Sequence, residues 1–179
     1  GIDYNIVREG ITLDKRVNDS QFNVMFGFKR GFGGGCLSKD VYSAVEILKK
    51  FSMPFGIQTM LGLPGDNEKK AVETAKKVIS LKPDTVRIYP TLVIKGTILH
   101  DLYKLNNYKP MNLNETVYLT AKILNLYRRN NINVIKIGLQ ANDNLTVRKE
   151  LIAGPFHPAF RQLVESQIWF DKIDKLIKD

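Results

Sequence analysis

Residues 62–66 read Gly-Leu-Pro-Gly-Asp, the composition of a turn that can hold a ligand. They end an apolar run that begins at Gly56 and precede a helical pattern, so they lie at the carboxyl end of a predicted strand. Ligands of parallel α/β sheets and barrels bind at that end of the strands. Glycine lets the backbone approach a flat ligand, and it equally suits a tight turn before a helix N-cap. The spacing alone favours neither interpretation.

A second group of polar residues surrounds the end of the next predicted strand. Arg87 and Tyr89 share one face of that strand by its period of two, so both point either into a cavity or out to solvent. Thr91, Lys95 and Thr97 follow shortly afterwards. An arginine in a strand is more often an exposed or paired charge than a ligand clamp, so the pattern by itself assigns no ligand.

The residues that bind metals or act as nucleophiles are sparse. His100 and His157 are the only histidines, and neither has a second ligand at metal-binding spacing, so we expect no metal site. Cys36 is the only cysteine, which excludes an internal disulfide and a multi-thiolate site. No serine lies in a Gly-x-Ser-x-Gly elbow. The catalytic residues therefore stay unassigned.

Four glycines at positions 31, 33, 34 and 35 offer a further turn that can cradle a phosphate at a helix N-terminus. Their spacing fits neither a Walker loop nor a dinucleotide-binding fingerprint, and no Lys-Ser pair opens the helix. We therefore interpret this segment as a flexible turn.

The chain has 179 residues with 27 Lys and Arg against 18 Asp and Glu, a formal net charge of +9. This balance favours acidic partners such as RNA, phosphates or anionic cofactors. The basic residues are spread along the predicted helices, so a solvated surface explains them equally well. No apolar run approaches the roughly 20 residues of a membrane span, and no secretory signal opens the chain. We expect a cytoplasmic protein with no membrane partner.

Strands and helices alternate from about residue 22 onward. Apolar runs at residues 22–28, 56–63, 85–89 and 132–138 predict strands, and apolar positions at helical spacing between them predict helices. This order predicts an α/β fold with a parallel sheet. A complete eightfold barrel takes about 250 residues. We therefore expect a partial (βα) barrel or an open parallel sheet, with about three βα units, a further strand and a C-terminal helix.

Several residues predict where the helices begin. Asp66 or Asn67 suits an N-cap, and Asn112 with Glu115 three positions later has the pattern of a capping box. Pro158 is suited to the first position of the last helix.

Five segments in this order resemble the later barrel strands and C-terminal region of radical S-adenosylmethionine (SAM) proteins, in particular the Elongator catalytic-subunit-like branch. The resemblance extends from about Cys36 to Ser166, and its specificity lies in the ordered combination. The segments are 56–66 (GIQTMLGLPGD), 83–97 (PDTVRIYPTLVIKGT), 108–110 (YKP), 137–140 (IGLQ) and 152–161 (IAGPFHPAFR).

The resemblance implies a partial TIM-like barrel that binds a [4Fe-4S] cluster and SAM and generates a 5′-deoxyadenosyl radical. It further implies that the loop at 61–66 packs on the cofactor and that the strand at 87–89 helps to seat its adenine. In this branch the chemistry is tRNA modification, so RNA is an implied partner. The implied cofactor-binding residues are Leu61, Gly62, Leu63, Pro64, Gly65, Arg87 and Tyr89.

The cluster-binding part of the family is missing from this sequence. Members hold the cluster with three cysteines in the first barrel unit, whereas this chain has Cys36 alone. One thiolate cannot hold such a cluster, so we expect none on this chain by itself. We interpret the chain as the C-terminal half of a radical SAM protein, either a fragment or a truncated form. Whether it is an enzyme alone, and on which substrate, stays open.

The resemblance divides the chain into three parts. Residues 1–21 form an unplaced N-terminal segment, residues 22–140 form the C-terminal half of the partial barrel, and residues 141–179 form a family-like extension. Two alternatives belong to other classes. One is a non-catalytic, basic RNA-binding module. The other is a half-barrel subunit completed by a second chain, because an unclosed parallel sheet leaves a strand edge to be covered.

Overall fold

Short β-branched runs and amphipathic helices alternate in the computed structural model, which describes residues 25–26, 29–30, 35–139 and 150–178. The chain divides into two units, Gly1–Ser52 and Met53–Asp179. The first unit contains β1 (Met25–Phe26), β2 (Lys29–Arg30) and α1 (Gly35–Lys50).

The first predicted strand belongs to a two-stranded antiparallel sheet and not to a parallel one. Met25–Phe26 pairs antiparallel with Lys29–Arg30, whereas a parallel strand was expected over residues 22–28. Only two residues separate β1 from β2, and parallel neighbours need a crossover of a dozen or more residues. The two strands can therefore pair only as antiparallel neighbours.

The second unit contains the larger part of the fold. Its elements are β3 (Gly56–Leu61), α2 (Glu68–Leu81), β4 (Thr85–Pro90), β5 (Val93–Ile94), α3 (Ile98–Lys104), α4 (Leu113–Arg129), β6 (Asn133–Ile137), β7 (Leu151–Ala153) and α5 (Phe160–Lys178). β3, β4 and β6 form a parallel sheet with β4 in the centre, and β5 pairs antiparallel with β7. The predicted α/β class with an open parallel sheet is confirmed.

The core lies on one face of the parallel sheet. Val86 and Ile88 of β4 are fully buried there, and α2, α4 and α5 bring apolar side chains against the same face. The central members from the helices are Ala75, Val78, Ile123, Leu124, Tyr127, Val164 and Ile168. Burial of such side chains supplies most of the free energy that holds these layers together.

The helix N-termini follow their side-chain signals closely. The Asn67 side chain accepts a hydrogen bond from the Lys70 N–H at 3.0 Å. Asn112 and Glu115 form the predicted capping box, with both reciprocal hydrogen bonds present. The last helix begins at Phe160 and not at Pro158, because the Phe160 N–H donates to the His157 carbonyl in a preceding turn. Within the described residues, no helix is long and apolar enough to span a membrane.

Candidate functional site

The parallel sheet is covered by helices of its unit on one face and presents polar and exposed side chains on the other. Parallel sheets are normally buried on both faces, so this surface, which no described helix of the second unit covers, is the first candidate for a ligand. We call it the open face. It consists of Gln58 and Met60 of β3, Arg87 and Tyr89 of β4, and Ile135 and Lys136 of β6.

Two positive charges lie next to each other on the open face. Arg87 and Lys136 are register partners on adjacent strands, after an irregularity in the β4–β6 pairing. Like charges directly opposite each other in a sheet are destabilising. Within residues 35–139 and 150–178, no carboxylate forms an ion pair with either residue. The pair is therefore suited to an anionic group that arrives from outside this unit.

Tyr89 is the aromatic residue of the open face. It is half-buried, lies opposite Met60 in the register, and has the Lys136 ammonium 6.0 Å from its ring centroid. That distance is at the limit of a cation–π interaction. Met60 and Tyr89 thus provide an apolar and aromatic surface near the carboxyl ends of β3 and β4.

Arg87 lies two residues before Tyr89 in β4 and is therefore closer to the amino ends of the strands. It lines a cavity of about 300 Å³ together with Gly56, Ile57, Gln58 and Thr85. Residues two apart on a strand are separated by roughly 7 Å. Arg87 and Tyr89 share the predicted face, but a ligand must extend along the strands to contact both.

The Gly62–Asp66 turn is held by its own hydrogen bonds and by the segment before α4. Gly62 has a φ of +80°, and its N–H donates to the Asp66 carboxylate at 2.9 Å. Its carbonyl accepts a 2.6 Å hydrogen bond from the Tyr108 hydroxyl. A Cβ at this position would lie 3.2 Å from the Met111 side chain. Both backbone polar groups of Gly62 thus already have partners within the protein.

The other predicted loop residues differ in how they are placed. The Leu61 side chain is 3% exposed and lies in the core, so it is turned away from any ligand on the open face. Leu63 and Pro64 are half-buried, and Gly65 is exposed with a φ of +76°. Contact with a ligand at this turn thus depends on residues 63–65.

Tyr108 and Lys136 are site residues that sequence reasoning did not assign. Burial, with a smaller contribution from Asp66, raises the pKa of Tyr108 to about 12, so its hydroxyl stays a proton donor at neutral pH. Tyr108 lies 46 positions from Gly62, and no local pattern links the two. Lys136 was visible only as a polar position in an alternating strand, since its pairing with Arg87 depends on the register.

A larger cavity of about 550 Å³ lies between the end of β6 and the start of α5. Ile135 and Lys136 of the open face contribute to it, together with residues that begin α5. Arg161 and Glu165 line its outer side, where the Arg128 guanidinium donates to both oxygens of the Glu165 carboxylate at 2.9 and 2.6 Å. The cavity extends the open face along the carboxyl end of β6.

The residues present do not fit an iron-sulfur cluster. The described part of the chain has no group of three or more His, Cys, Asp or Glu side chains placed to hold a metal. The complete sequence has a single cysteine, and [4Fe-4S] clusters are held by several thiolates. No step of a reaction can therefore be assigned to a cluster on these residues.

Part of the chain is similar in sequence to known proteins. Residues 83–169, just under half the chain, match the Radical_SAM C-terminal domain. An uncharacterised protein of Methanocaldococcus jannaschii is 33% identical over 85 residues, which is 48% of this chain and 26% of that protein. The tRNA uridine(34) acetyltransferase of the same organism is 33% identical over 86 residues, 46% of this chain and 16% of that enzyme. The chain thus spans about a quarter or less of these relatives.

Two further comparisons also show similarity to Elongator proteins. Human Elongator complex protein 3 is 45% identical over 47 residues, 26% of this chain and 9% of that protein. The solved structure of archaeal Methanocaldococcus infernus Elp3 with residues 1–46 deleted superposes with a TM-score of 0.64. It covers 80% of this chain and 32% of that one at 21% identity, which shows a shared fold.

Proposed function

Because the chain is similar to the C-terminal part of radical SAM proteins of the Elongator-like branch, we propose that it supplies the ligand-facing half of such an enzyme, with tRNA as the substrate class. The observation that carries this proposal is the Arg87–Lys136 pair on the uncovered face of the parallel sheet. Two adjacent cations cost stability unless an anion neutralises them, and both a phosphate and the carboxylate of SAM are anions.

The two ends of the open face have separate roles in this proposal. Near the carboxyl ends, Met60 and Tyr89 supply an apolar and aromatic surface for a flat ring, and the N–H of the exposed Gly65 adds a polar contact, since its carbonyl already accepts a hydrogen bond from the Lys70 ammonium. We propose this end, with residues 63–65 of the turn, as the contact for SAM, a cofactor that supplies organic radical chemistry when it is bound beside a cluster; Leu61 and Gly62 then hold the turn in place. Arg87 then neutralises a negative group on the same ligand or on the RNA.

These residues cannot hold the cluster by themselves. We propose that the cluster is held by cysteines outside these 179 residues, in an N-terminal half of the barrel or in a second chain that completes it. We retain the division into residues 1–21, 22–140 and 141–179, and the cytoplasm as the location, as parts of this proposal. Anaerobic reconstitution of the 179-residue chain with iron and sulfide should yield no visible absorbance of a [4Fe-4S] cluster and, after reduction with dithionite, no electron paramagnetic resonance signal; a stable signal from the isolated chain would contradict this part of the proposal.

The RNA part is tested by the affinity of the chain for tRNA across a range of salt concentrations. Arg87→Gln and Lys136→Gln should each lower the magnitude of the slope of log affinity against log salt by about 1, as expected for one lost phosphate contact. Lys104→Gln, at an exposed lysine of α3, is the matched control and should leave the slope unchanged. Equal slopes for all three variants would contradict a role of the open face in RNA binding.

The SAM part is tested by equilibrium dialysis with labelled SAM. Tyr89→Ala should weaken binding by at least tenfold, whereas Tyr118→Ala, at an exposed tyrosine of α4, should leave it unchanged. Binding of tRNA without measurable binding of SAM would instead support the alternative function, a non-catalytic RNA-binding module. The net charge of +9 is the observation that favours that alternative.

A further inference from the structure

The second half of α5 extends away from the core and carries large apolar side chains in solvent. The first half of the helix buries Phe160, Val164 and Ile168. Beyond Ile168, five apolar residues are more than half exposed. These residues, which we call the apolar stripe, are Trp169 (61%), Phe170 (65%), Ile173 (53%), Leu176 (78%) and Ile177 (79%).

The apolar stripe is symmetric about Ile173. Its other members lie three and four residues before and after this central position. At 3.6 residues per turn, all five project within about 60° of the direction of Ile173. Reversing the direction of the helix therefore leaves the apolar positions unchanged, a pattern suited to a helix that pairs with an antiparallel copy of itself, because each apolar residue then faces an apolar residue.

We propose that the apolar stripe binds the same stripe of a second copy of this chain, in an antiparallel helix pair with a two-fold axis beside Ile173. In such a pair, Trp169 lies level with Ile177 of the second copy, and Phe170 lies level with Leu176 of the second copy. At each level the two side chains lie on opposite sides of the contact line. A large aromatic ring thus packs beside a smaller aliphatic side chain and fills the space between the helices.

The area of the stripe reaches the size that a specific dimer needs. Aromatic side chains bury on the order of 150–250 Å² each. With the lower end of that range for the three aliphatic members, the exposed fractions above give roughly 600 Å² per copy, or about 1,200 Å² in total, when the stripe is fully covered. This is the lower end of the range of specific protein–protein interfaces.

The charges beside the stripe already have partners in their own helix. The Lys172 ammonium lies 4.7 Å from the centroid of the Trp169 ring, and Lys178 forms a 2.7 Å ion pair with Asp174. Charges of both signs accompany the stripe, since Asp171 and Asp174 alternate with Lys172, Lys175 and Lys178, so the helix calls for neither a strongly acidic nor a strongly basic partner. The chemistry of the stripe therefore fits a second apolar helix.

Sedimentation equilibrium of the 179-residue chain tests the proposal. We expect a reversible dimer that dissociates on dilution through the micromolar range, because its interface lies at the small end of specific interfaces, where weak complexes are found. Ile173→Asp should weaken the dimer at least 100-fold, because it places two carboxylates at the two-fold axis. Lys175→Asp introduces the same residue on the opposite side of the helix and should leave the dimer intact. Circular dichroism of both variants checks that α5 remains folded.

Cross-linking tests the antiparallel direction. In a Cys36→Ser background, Ile173→Cys should form a disulfide-linked dimer with copper phenanthroline as the oxidant. Ile177→Cys should not, because its two copies lie about 12 Å apart along the helix axes. Equal cross-linking of both variants would show a parallel pair and overturn the proposal. A monomer at all concentrations, or a dimer unaffected by Ile173→Asp, would overturn it as well and assign the stripe to another protein or segment.

Discussion

The hydroxyl of Tyr108 donates a 2.6 Å hydrogen bond to the carbonyl of Gly62, 46 residues earlier in the chain. This bond connects the segment before α4 to the turn after β3. It is the tertiary contact that fixes the turn we propose as a cofactor contact. Tyr108 is only 8% exposed, so water cannot replace the bond if it is lost.

Tyr108→Phe should lower the free energy of unfolding by about 1–3 kcal/mol, because the buried Gly62 carbonyl loses its partner. Urea denaturation measures this difference. The matched control is Tyr118→Phe, which removes a hydroxyl from an exposed tyrosine of α4 and should cost less than about 0.5 kcal/mol. Equal effects of the two variants would show that the Tyr108 hydrogen bond contributes no stability.

Tyr127→Phe should not lower the stability of the fold as Tyr108→Phe does. Its hydroxyl is buried and has no hydrogen-bond partner among the described residues. Burial raises the pKa of Tyr127 to about 12, against a smaller lowering by a hydrogen bond from Thr59. The Thr59 hydroxyl, however, donates its proton to the Arg87 carbonyl and therefore has none to donate to Tyr127. Tyr127→Phe removes an unsatisfied polar group of nearly the same shape, so we expect unchanged or slightly higher stability in urea denaturation.

The two buried tyrosines also predict a loss of stability at high pH. Both have a folded-state pKa of about 12, above the ordinary value of 10.0, so the folded state holds more protons in this window. Stability is therefore complete below pH 10 and falls as the pH rises toward 12, by up to about 1.4 kcal/mol per pH unit for each tyrosine. Tyr127→Phe should make the decline less steep, and an unchanged slope would contradict the assignment to Tyr127.

Gly138 should tolerate no side chain. It has a φ of +74°, and a Cβ would lie 2.8 Å from the ring of Phe160, a core residue at the start of α5. Gly96 has nearly the same φ of +76° but no atom within 4 Å of a Cβ. Gly96→Ala should cost about 1 kcal/mol for the backbone conformation, and Gly138→Ala about 1–3 kcal/mol more for overpacking. Thermal or urea unfolding of the pair separates these causes.

Glu165 should make the contact between α4 and α5 sensitive to acid. The hydrogen bonds from Arg128, which outweigh burial, hold the pKa of Glu165 below the ordinary value of 4.5, with additional help from Arg161. The stabilisation is present above pH 4.5 and is lost as the pH falls below it. Because both partners are partly exposed, Glu165→Gln should cost up to about 1 kcal/mol at pH 7. The cost should decline as the pH falls below 4.5, whereas Glu73→Gln, on the surface of α2, should have little effect across the same range.

Local sequence signals accounted for most of the secondary structure. The capping box at Asn112 depends on atoms within a few positions, so the sequence alone located the start of α4 at Leu113. The first strand was different, because pairing is decided between strands. The two residues between β1 and β2 favour an antiparallel pair, which an apolar run cannot reveal.

The sequence by itself determined the α/β class, the similarity to the radical SAM family and the presence of only one cysteine. It also identified the turn at residues 62–66, because glycine and proline act on the backbone locally. Only the tertiary structure decided which groups meet there. Tyr108 reaches Gly62 through the packing of a distant segment, and Arg87 meets Lys136 through a strand register that includes a local irregularity. Such contacts depend on how elements pack and pair over long separations, and short-range patterns in the chain carry no record of them.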